Sequence, residues 1–296
     1  MRQKYGLPYM GSKERIAKEI IDLLPAGQTF VDVFAGGCAV TGRALESGKW
    51  ENYIANDITG TPDFWLQCIH GHSPDPRWIS REEFHEKKGS DFYVRLCWSF
   101  GNGGWTYVYG KKTEPLKKAL HQAIVDCNFG PLKDMTGIDL SELAEYKSIH
   151  ERRLKAKRTI RSHKPYTWTN LKRPDNLQSL ENLERLKSLE NLERLEDLET
   201  KAVDYRKLDI PPDAVVYCDP PYRNTIKYSH VAPFNHEDFY DWACSLPNPV
   251  FISEYVMPED RFTKIWQKPV RSLWSPVDNS TIKYECLWVP KKRTGA

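Results

Sequence analysis

The sequence predicts an α/β protein whose nucleotide-binding sheet is split by a long insert. Three observations predict it. Residues 1–60 alternate helix and strand around a glycine turn, as a nucleotide-binding βαβ unit does. The alternation breaks near Thr61 and resumes near Ala202. A second apolar strand then ends abruptly in Asp219-Pro220-Pro221-Tyr222. At 296 residues the chain is long enough for one large or two modest domains with a real core.

The elements follow in order. Ile16, Ile20, Leu23 and Leu24 share one face of a helix over Glu14–Leu24. Phe30-Val31-Asp32-Val33-Phe34 reads as a short buried strand, turned by Ala35-Gly36-Gly37. Val40–Leu45 suits the returning helix, and Tyr53-Ile54-Ala55-Asn56-Asp57 a second strand ending in an acid. In such a unit the strand-end acid takes ribose hydroxyls, and the glycine turn lets a cofactor approach the backbone. A full GxGxxG and a GxxxxGK[ST] are both absent, so a nucleoside cofactor without phosphates fits better than a dinucleotide. Beyond Asp219, a helix is expected near Glu237–Leu246 and strands near Pro249–Ser253 and Ile282–Val289. The two flanks, 1–60 and 201–296, therefore form one discontinuous domain, and 61–200 an insert.

Asp219-Pro220-Pro221-Tyr222 is the most informative stretch. Two prolines exclude both a continued strand and an immediate helix. The rigid loop offers a carboxylate, the Pro220 carbonyl and an aromatic ring. Together they suit the planar amino group of a nucleobase: two acceptors for its N–H bonds and a ring to stack on.

The insert reads as aromatic and irregular, with a loop of large rings over Trp98–Trp105. Basic residues crowd its later part: Arg152, Arg153, Arg158, Arg161 and Lys164 stand with Lys155, Lys157, Lys172 and Arg173, and Tyr166 and Trp168 fall among them. Basic residues interleaved with aromatics suit a nucleic-acid backbone with exposed bases. The run shows no compensating acids, so phosphate contact is the expected role. An internal repeat follows. Ser179–Lys187 recurs nearly unchanged as Ser188–Glu196, with leucine at every third position across 177–199. In an α-helix that period spirals around the axis, and in a 3₁₀-helix it would align. Composition and the pairs Glu181–Arg185 and Glu190–Arg194 favour an α-helix, read here as an acidic spacer or partner-binding element.

Composition excludes several classes. Hydrophobic content of 40% and charged content of 28% are ordinary for a globular protein, and the net charge of +3 is only mildly basic. No apolar run is long enough for a membrane span, and no signal peptide is expected. Seven dispersed cysteines without a CxxC pair point to reduced thiols in a cytoplasmic setting and to no metal site.

Four stretches resemble the Dam-type (D12 class, alpha-order) DNA adenine-N6 methyltransferases. Tyr9-Met10-Gly11-Ser12-Lys13 is similar to the family's N-terminal motif. Phe30–Gly37 is similar to its cofactor loop, Asp204-Tyr205 to its acid–aromatic pair, and Asp219–Tyr222 to its catalytic loop. Ser99-Phe100-Gly101 is similar to a further family loop, and Cys38 departs from the family by standing where a glycine is usual. The resemblance implies a Rossmann-like S-adenosylmethionine-dependent methyltransferase sheet with an inserted, mostly helical target-recognition domain. It implies S-adenosylmethionine as cofactor, double-stranded DNA as partner and no metal; a monomer is favoured. It implies that Asp57, with Ile58 beside it, takes the ribose and that Asp204 with Tyr205 faces the adenine of the cofactor. Tyr9, Lys13, Asp32, Phe34, Ala35 and Gly36 would hold the methionine end, next to Asp219. The expected reaction is direct methyl transfer to the amino group of a flipped adenine. Two rivals remain at this stage, an RNA base N-methyltransferase and a DNA-binding module without catalysis. The absence of a Pro-Cys dipeptide weighs against cytosine-C5 chemistry.

Overall fold

Short, wholly apolar strands without polar alternation belong in the middle of a parallel sheet, covered on both faces. Thr29–Asp32 (β1) and Ala214–Cys218 (β4) are buried at every position. The computed structural model describes residues 4–72, 74–163, 176–192, 197–223, 234–270 and 283–291. Two compact units emerge, one of residues 1–7, 12–67 and 191–296 and one of residues 8–11 and 68–190.

The first unit carries a seven-stranded sheet. Besides β1 and β4 it contains Asn52–Asn56 (β2), Leu198–Lys201 (β3), Val250–Glu254 (β5), Phe262–Val270 (β6) and Lys283–Pro290 (β7). The order is β3-β2-β1-β4-β5-β7-β6. Strands β1 to β5 pair in parallel, and β7 runs antiparallel to both β5 and β6. This mixed α/β architecture is compatible with a methyltransferase fold. The helices of the unit are Ala17–Leu23 (α1), Ala39–Ser47 (α2), most of Thr61–Ile69 (α3) and His236–Ser245 (α10). Val31, Val33, Val216, Ile252, Phe239 and Trp288 meet in the core. Lys49 Nζ closes the end of α1 by donating to the carbonyls of Ile21 at 2.7 Å and Leu24 at 2.9 Å. Chain order reverses at β1, between β2 and β4, so the loops leaving β1 and β4 open a crevice at the carboxyl ends of the strands.

Two strands escape the sequence reading. The flank was expected to begin at residue 201, yet β3 pairs with β2 through Tyr53↔Leu198 to Asn56↔Lys201 and belongs to the sheet. Its residues, Leu-Glu-Thr-Lys, carry no buried face to betray it. Strand β6 is the opposite edge and holds Lys264, Lys268 and Pro269, residues that commonly blunt an edge.

The second unit is mostly helical. Its named helices are Arg81–Lys87 (α4), Phe92–Cys97 (α5), Glu114–Val125 (α6), Gly130–Thr136 (α7), Ile149–Ser162 (α8) and Gln178–Lys187 (α9). Ser80, Asp91 and Ser148 cap α4, α5 and α8, the last in a full capping box with Glu151.

The leucine repeat is not a spacer. Leu177, Leu180, Leu183, Leu186 and Leu189 are all buried. Helix α9 can bury a stripe that spirals because other elements of the unit surround it. Ser179 Oγ meets Tyr109 Oη at 2.8 Å, and Asn182 Nδ2 donates to the Cys97 carbonyl at 3.1 Å. The chain then tightens to a 3₁₀ turn over Ser188–Asn191, where three-residue spacing does align. Residues 193–196 of the second repeat copy lie outside the described residues.

Candidate active site

The cofactor-type loop is built from β1 outward. Asp32 closes β1, and Val33 N–H continues the pairing to the Tyr217 carbonyl at 2.9 Å. The backbone then turns through Gly36 (φ 50°) and Cys38 (φ 59°) into α2. The left-handed φ at Cys38 explains why a glycine is usual there, since a side chain in that region is strained. Gly6 braces the turn from behind: a Cβ on it would lie 2.6 Å from the Gly37 carbonyl oxygen. Glu14 holds that brace by accepting from Tyr5 N–H and Gly6 N–H, both at 3.1 Å.

Asp32 is buried. Its Oδ2 accepts from Thr41 Oγ1 at 2.7 Å, and Oδ1 has no hydrogen-bond partner among the described residues. Burial raises its pKa to about 7, against the opposing hydrogen bond from Thr41. Asp57, at the end of β2, accepts from Gly36 N–H at 2.9 Å and from Thr59 N–H at 3.0 Å, and so fixes the two strand-end loops together. Ile58 beside it is 53% exposed. Phe34 packs against Tyr205, Phe234 and Phe239 at 5.4–5.7 Å between ring centres. Phe34 and the buried Tyr205 thus belong to an aromatic cluster under the crevice. Ala35 N–H donates to the Asn56 carbonyl at 2.8 Å. Asp204 is held locally, accepting from Arg206 Nη2 at 2.6 Å and Nε at 2.9 Å, which lowers its pKa to about 2. Tyr9 is grouped with the second unit.

Asp219 follows β4, one strand from Asp32, so both acids emerge on the same sheet edge. Lys13 Nζ lies 2.9 Å from Asp219 Oδ1 and 3.4 Å from Glu285 Oε1 on β7. It also stands 4.5 Å above the centre of the Tyr222 ring. The hydroxyl of Tyr222 donates to Glu285 Oε1, and the Tyr255 ring meets Tyr222 edge-on at 4.7 Å. Burial raises Asp219 to about 6, with Lys13 pulling down and Glu285 pushing up. Burial alone would lower Lys13, but Asp219 and Glu285 outweigh it and hold the ammonium charged. Lys13, expected at the methionine end, lies on the catalytic-type carboxylate. His236 Nε2 lies 2.9 Å from the Pro221 carbonyl, so the helix that follows the loop takes Pro221 and not Pro220.

Three residues here were not singled out from sequence. Asn56 Nδ2 donates to the carbonyls of Val33 at 3.0 Å and Val203 at 3.1 Å, and its Oδ1 accepts from Val203 N–H at 3.0 Å. One amide thereby ties β1, β2 and the Asp204 loop together. Glu254 ends β5, accepts from Arg223 N–H at 3.1 Å and is pushed up to about 7 by burial. Glu285 is buried beside Cys286, Leu287 and Trp288. Both acids were detectable as charged residues inside apolar strands.

Residues 9–75 match the family model of the D12 class N6 adenine-specific DNA methyltransferases. The match is consistent with a Dam-type adenine methyltransferase. It spans Tyr9, Lys13, the Asp32–Gly36 loop, Asp57 and Ile58, and ends before Asp204 and Asp219. The family supports methyltransferase activity and DNA adenine methylation for this chain, with S-adenosylmethionine the methyl donor that such an activity implies. No curated protein matches the chain. Among the described residues no acid, histidine and cysteine cluster could hold a metal, and no helix is long and apolar enough to cross a membrane.

The basic residues expected on DNA divide into two groups. Arg153 is buried and pairs with Glu184 at 2.6 Å and Glu181 at 3.1 Å. Arg152 Nη1 donates to the Val125 carbonyl at 3.4 Å and Cys127 Sγ at 2.7 Å. Both arginines make contacts within the helical unit. The compensating acids, absent from the basic run itself, come from elsewhere. Glu181 and Glu184 of the acidic repeat serve Arg153, Glu181 also stands 3.8 Å from Lys157, and Glu142 serves Lys155. Arg158 and Arg161 are exposed on α8, and Lys164 lies outside the described residues.

Proposed function

We propose that this chain is a site-specific DNA methyltransferase that moves a methyl group from S-adenosylmethionine to N6 of adenine. The observation that carries the reading is the convergence of Asp32, Asp57 and Asp219 on one strand-end crevice, with Tyr222 beside Asp219. The crevice suits the cofactor chemically. The partnerless Asp32 Oδ1 suits an ammonium group, Asp57 suits ribose hydroxyls, and exposed Ile58 suits the face of a purine. Gly36 and Cys38 would place backbone against the methionine end, and Asp204 with Tyr205 would border the purine. When bound, S-adenosylmethionine supplies an electrophilic methyl on a sulfonium.

The protein's own work is orientation. The amino group of adenine is a weak nucleophile because its lone pair is delocalised into the ring. Asp219 and the Pro220 carbonyl accept its two N–H bonds and draw the lone pair out of conjugation. Preorganised acceptors at fixed distance are large terms in catalysis. Lys13 stabilises the ionised form of Asp219. A base stacked within a duplex cannot enter the loop that carries the partly buried Asp219, so the target adenine is taken out of the stack, at about a few kcal/mol. Tyr222 receives it. We assign the helical unit the role of target recognition, with Arg158 and Arg161 as phosphate contacts.

The test is transfer of labelled methyl from S-adenosylmethionine to duplex DNA and, separately, to ribosomal RNA, followed by nucleoside analysis. N6-methyladenine in the DNA alone is the expected result. Methylation of the RNA alone would overturn the substrate, and no transfer to either would overturn the activity.

A further inference from the structure

Glu285 has no role in the reaction as proposed above, yet it is a carboxylate buried at 5% exposure in an apolar strand. An unpaired buried carboxylate is strongly unfavourable, so its partners define what it is for. They are Lys13 Nζ at 3.4 Å and the hydroxyl of Tyr222. Both partners also touch or flank Asp219: Lys13 at 2.9 Å, Tyr222 through its place on the same loop. We infer that Glu285 is a positioning residue that fixes the Tyr222 ring and shares Lys13 with Asp219, so that Asp219 keeps acceptor strength for the substrate amine. This inference rests on the adenine-methyltransferase reading.

The geometry gives each contact a task. Lys13 covers one face of the Tyr222 ring and Tyr255 meets it edge-on, so the ring is held from two sides while Glu285 pins its hydroxyl. A base then stacks on the face opposite Lys13. An ammonium placed wholly on Asp219 would compete with the amine for that carboxylate. With Glu285 at 3.4 Å, Lys13 is divided between two anions. The groups that face Asp219 are Lys13 before α1, Asp32 on β1, Tyr217 on β4, Tyr222 on its own loop, Glu254 and Tyr255 at the end of β5, and Glu285 on β7. Of these, Glu285 is the anion that shares a cation with Asp219. Its charge pushes Asp219 up and its removal returns Lys13 wholly to Asp219, so both effects of neutralising Glu285 lower the pKa of Asp219.

The experiment compares wild type, Glu285→Gln and Glu285→Ala by kcat–pH profile on duplex DNA and by carboxyl ¹³C NMR titration of Asp219. Glu285→Gln keeps an acceptor for the Tyr222 hydroxyl and serves if Glu285→Ala does not fold. In Glu285→Gln the acid limb and the Asp219 titration both move to lower pH. In Glu285→Ala kcat falls by about a hundredfold, the scale of a small misplacement at a reacting centre, while KM for DNA changes little. An Asp219 titration that stays in place in Glu285→Gln overturns the inference, as does wild-type kcat in folded Glu285→Ala. A wild type inactive on DNA would instead overturn the proposed function, and the NMR titration would still decide the coupling of Glu285 to Asp219.

Discussion

The buried Arg153 pairs with the partly buried Glu184, Nε to Oε1 at 2.6 Å, with Glu181 as a second acid at 3.1 Å. The pair joins α8 to α9 within the helical unit, which gives Arg153 a structural task. Arg153→Ala strands two acids in a partly buried setting. It is expected to destabilise the unit by about 1–3 kcal/mol, the range for lost hydrogen bonds to charged groups that water can still reach. Urea denaturation checks this. A variant of wild-type stability whose DNA affinity alone falls would return Arg153 to the phosphate contacts.

Arg158 and Arg161 carry the electrostatic expectation instead. The double alanine variant should keep its fold and lower the log–log salt slope of DNA binding by up to about 1.8, at about 0.9 for each lost phosphate contact. Affinity measured across a salt series reads this directly. An unchanged slope would mean that this face of α8 does not meet DNA.

Asn56→Ala removes three hydrogen bonds at once and leaves the Val33 and Val203 carbonyls and the Val203 N–H seeking partners. The expected cost is about 1–3 kcal/mol of stability for each group left buried and unsatisfied. Because the amide ties the Asp204 loop to β1 and β2, S-adenosylmethionine affinity should fall as well. Calorimetric titration with the cofactor checks the second effect, and wild-type affinity would sever Asn56 from the cofactor crevice.

Asp32 makes stability depend on pH. Its pKa stands at about 7 in the folded protein against an ordinary 3.8. Between those values the folded state holds more protons than the unfolded one, so stability falls as pH rises through the window and levels off above about 7. Glu254 acts in the same direction. Asp32→Asn removes the contribution of Asp32. Its stability relative to wild type should be greater at pH 8 than at pH 5, by on the order of 2 kcal/mol. Denaturation midpoints at the two pH values test this, and a gain larger at pH 5 would refute the sign.

Cys38 tests the cost of a left-handed backbone. Cys38→Gly releases about 1–2 kcal/mol of left-handed strain but loses a buried thiol, so stability should stay near that of wild type. Cys38→Val places a β-branched residue where it is a steric outlier and should be clearly destabilising. A stable valine variant would show that the turn can move.

The sheet was legible where strands are buried on both faces. β1, β2, β4, β5 and β7 announce themselves as apolar runs ended by an acid, a proline or a glycine turn. Edge strands β3 and β6 were not legible, because they carry no continuous buried face and their identity depends on the neighbour they pair with. The strand-end acids Asp32, Asp57 and Asp219 could be chosen as candidates because the chemistry of a nucleotide crevice demands acids there. Their partners could not. Nothing local links Lys13 to Glu285, or Arg153 to Glu184, since each pair is made by tertiary packing. The period-three leucines misled for a related reason. A stripe that spirals looks unsuited to burial until the helix is seen to be enclosed on several sides.

The reversed strand β7 has one more consequence. It brings Glu285 to Lys13 from almost the other end of the described chain, so the cluster around Asp219 is among the most non-local contacts the protein makes. Contacts of that separation close a very long loop, so their entropic cost is met only once other parts of the fold have drawn the ends together. A growing chain on the ribosome that has made β1, β2 and β4 already has its cofactor crevice in outline, yet lacks the anion that completes the cluster around Lys13. The cluster around Asp219 is therefore completed only when β7 joins the sheet.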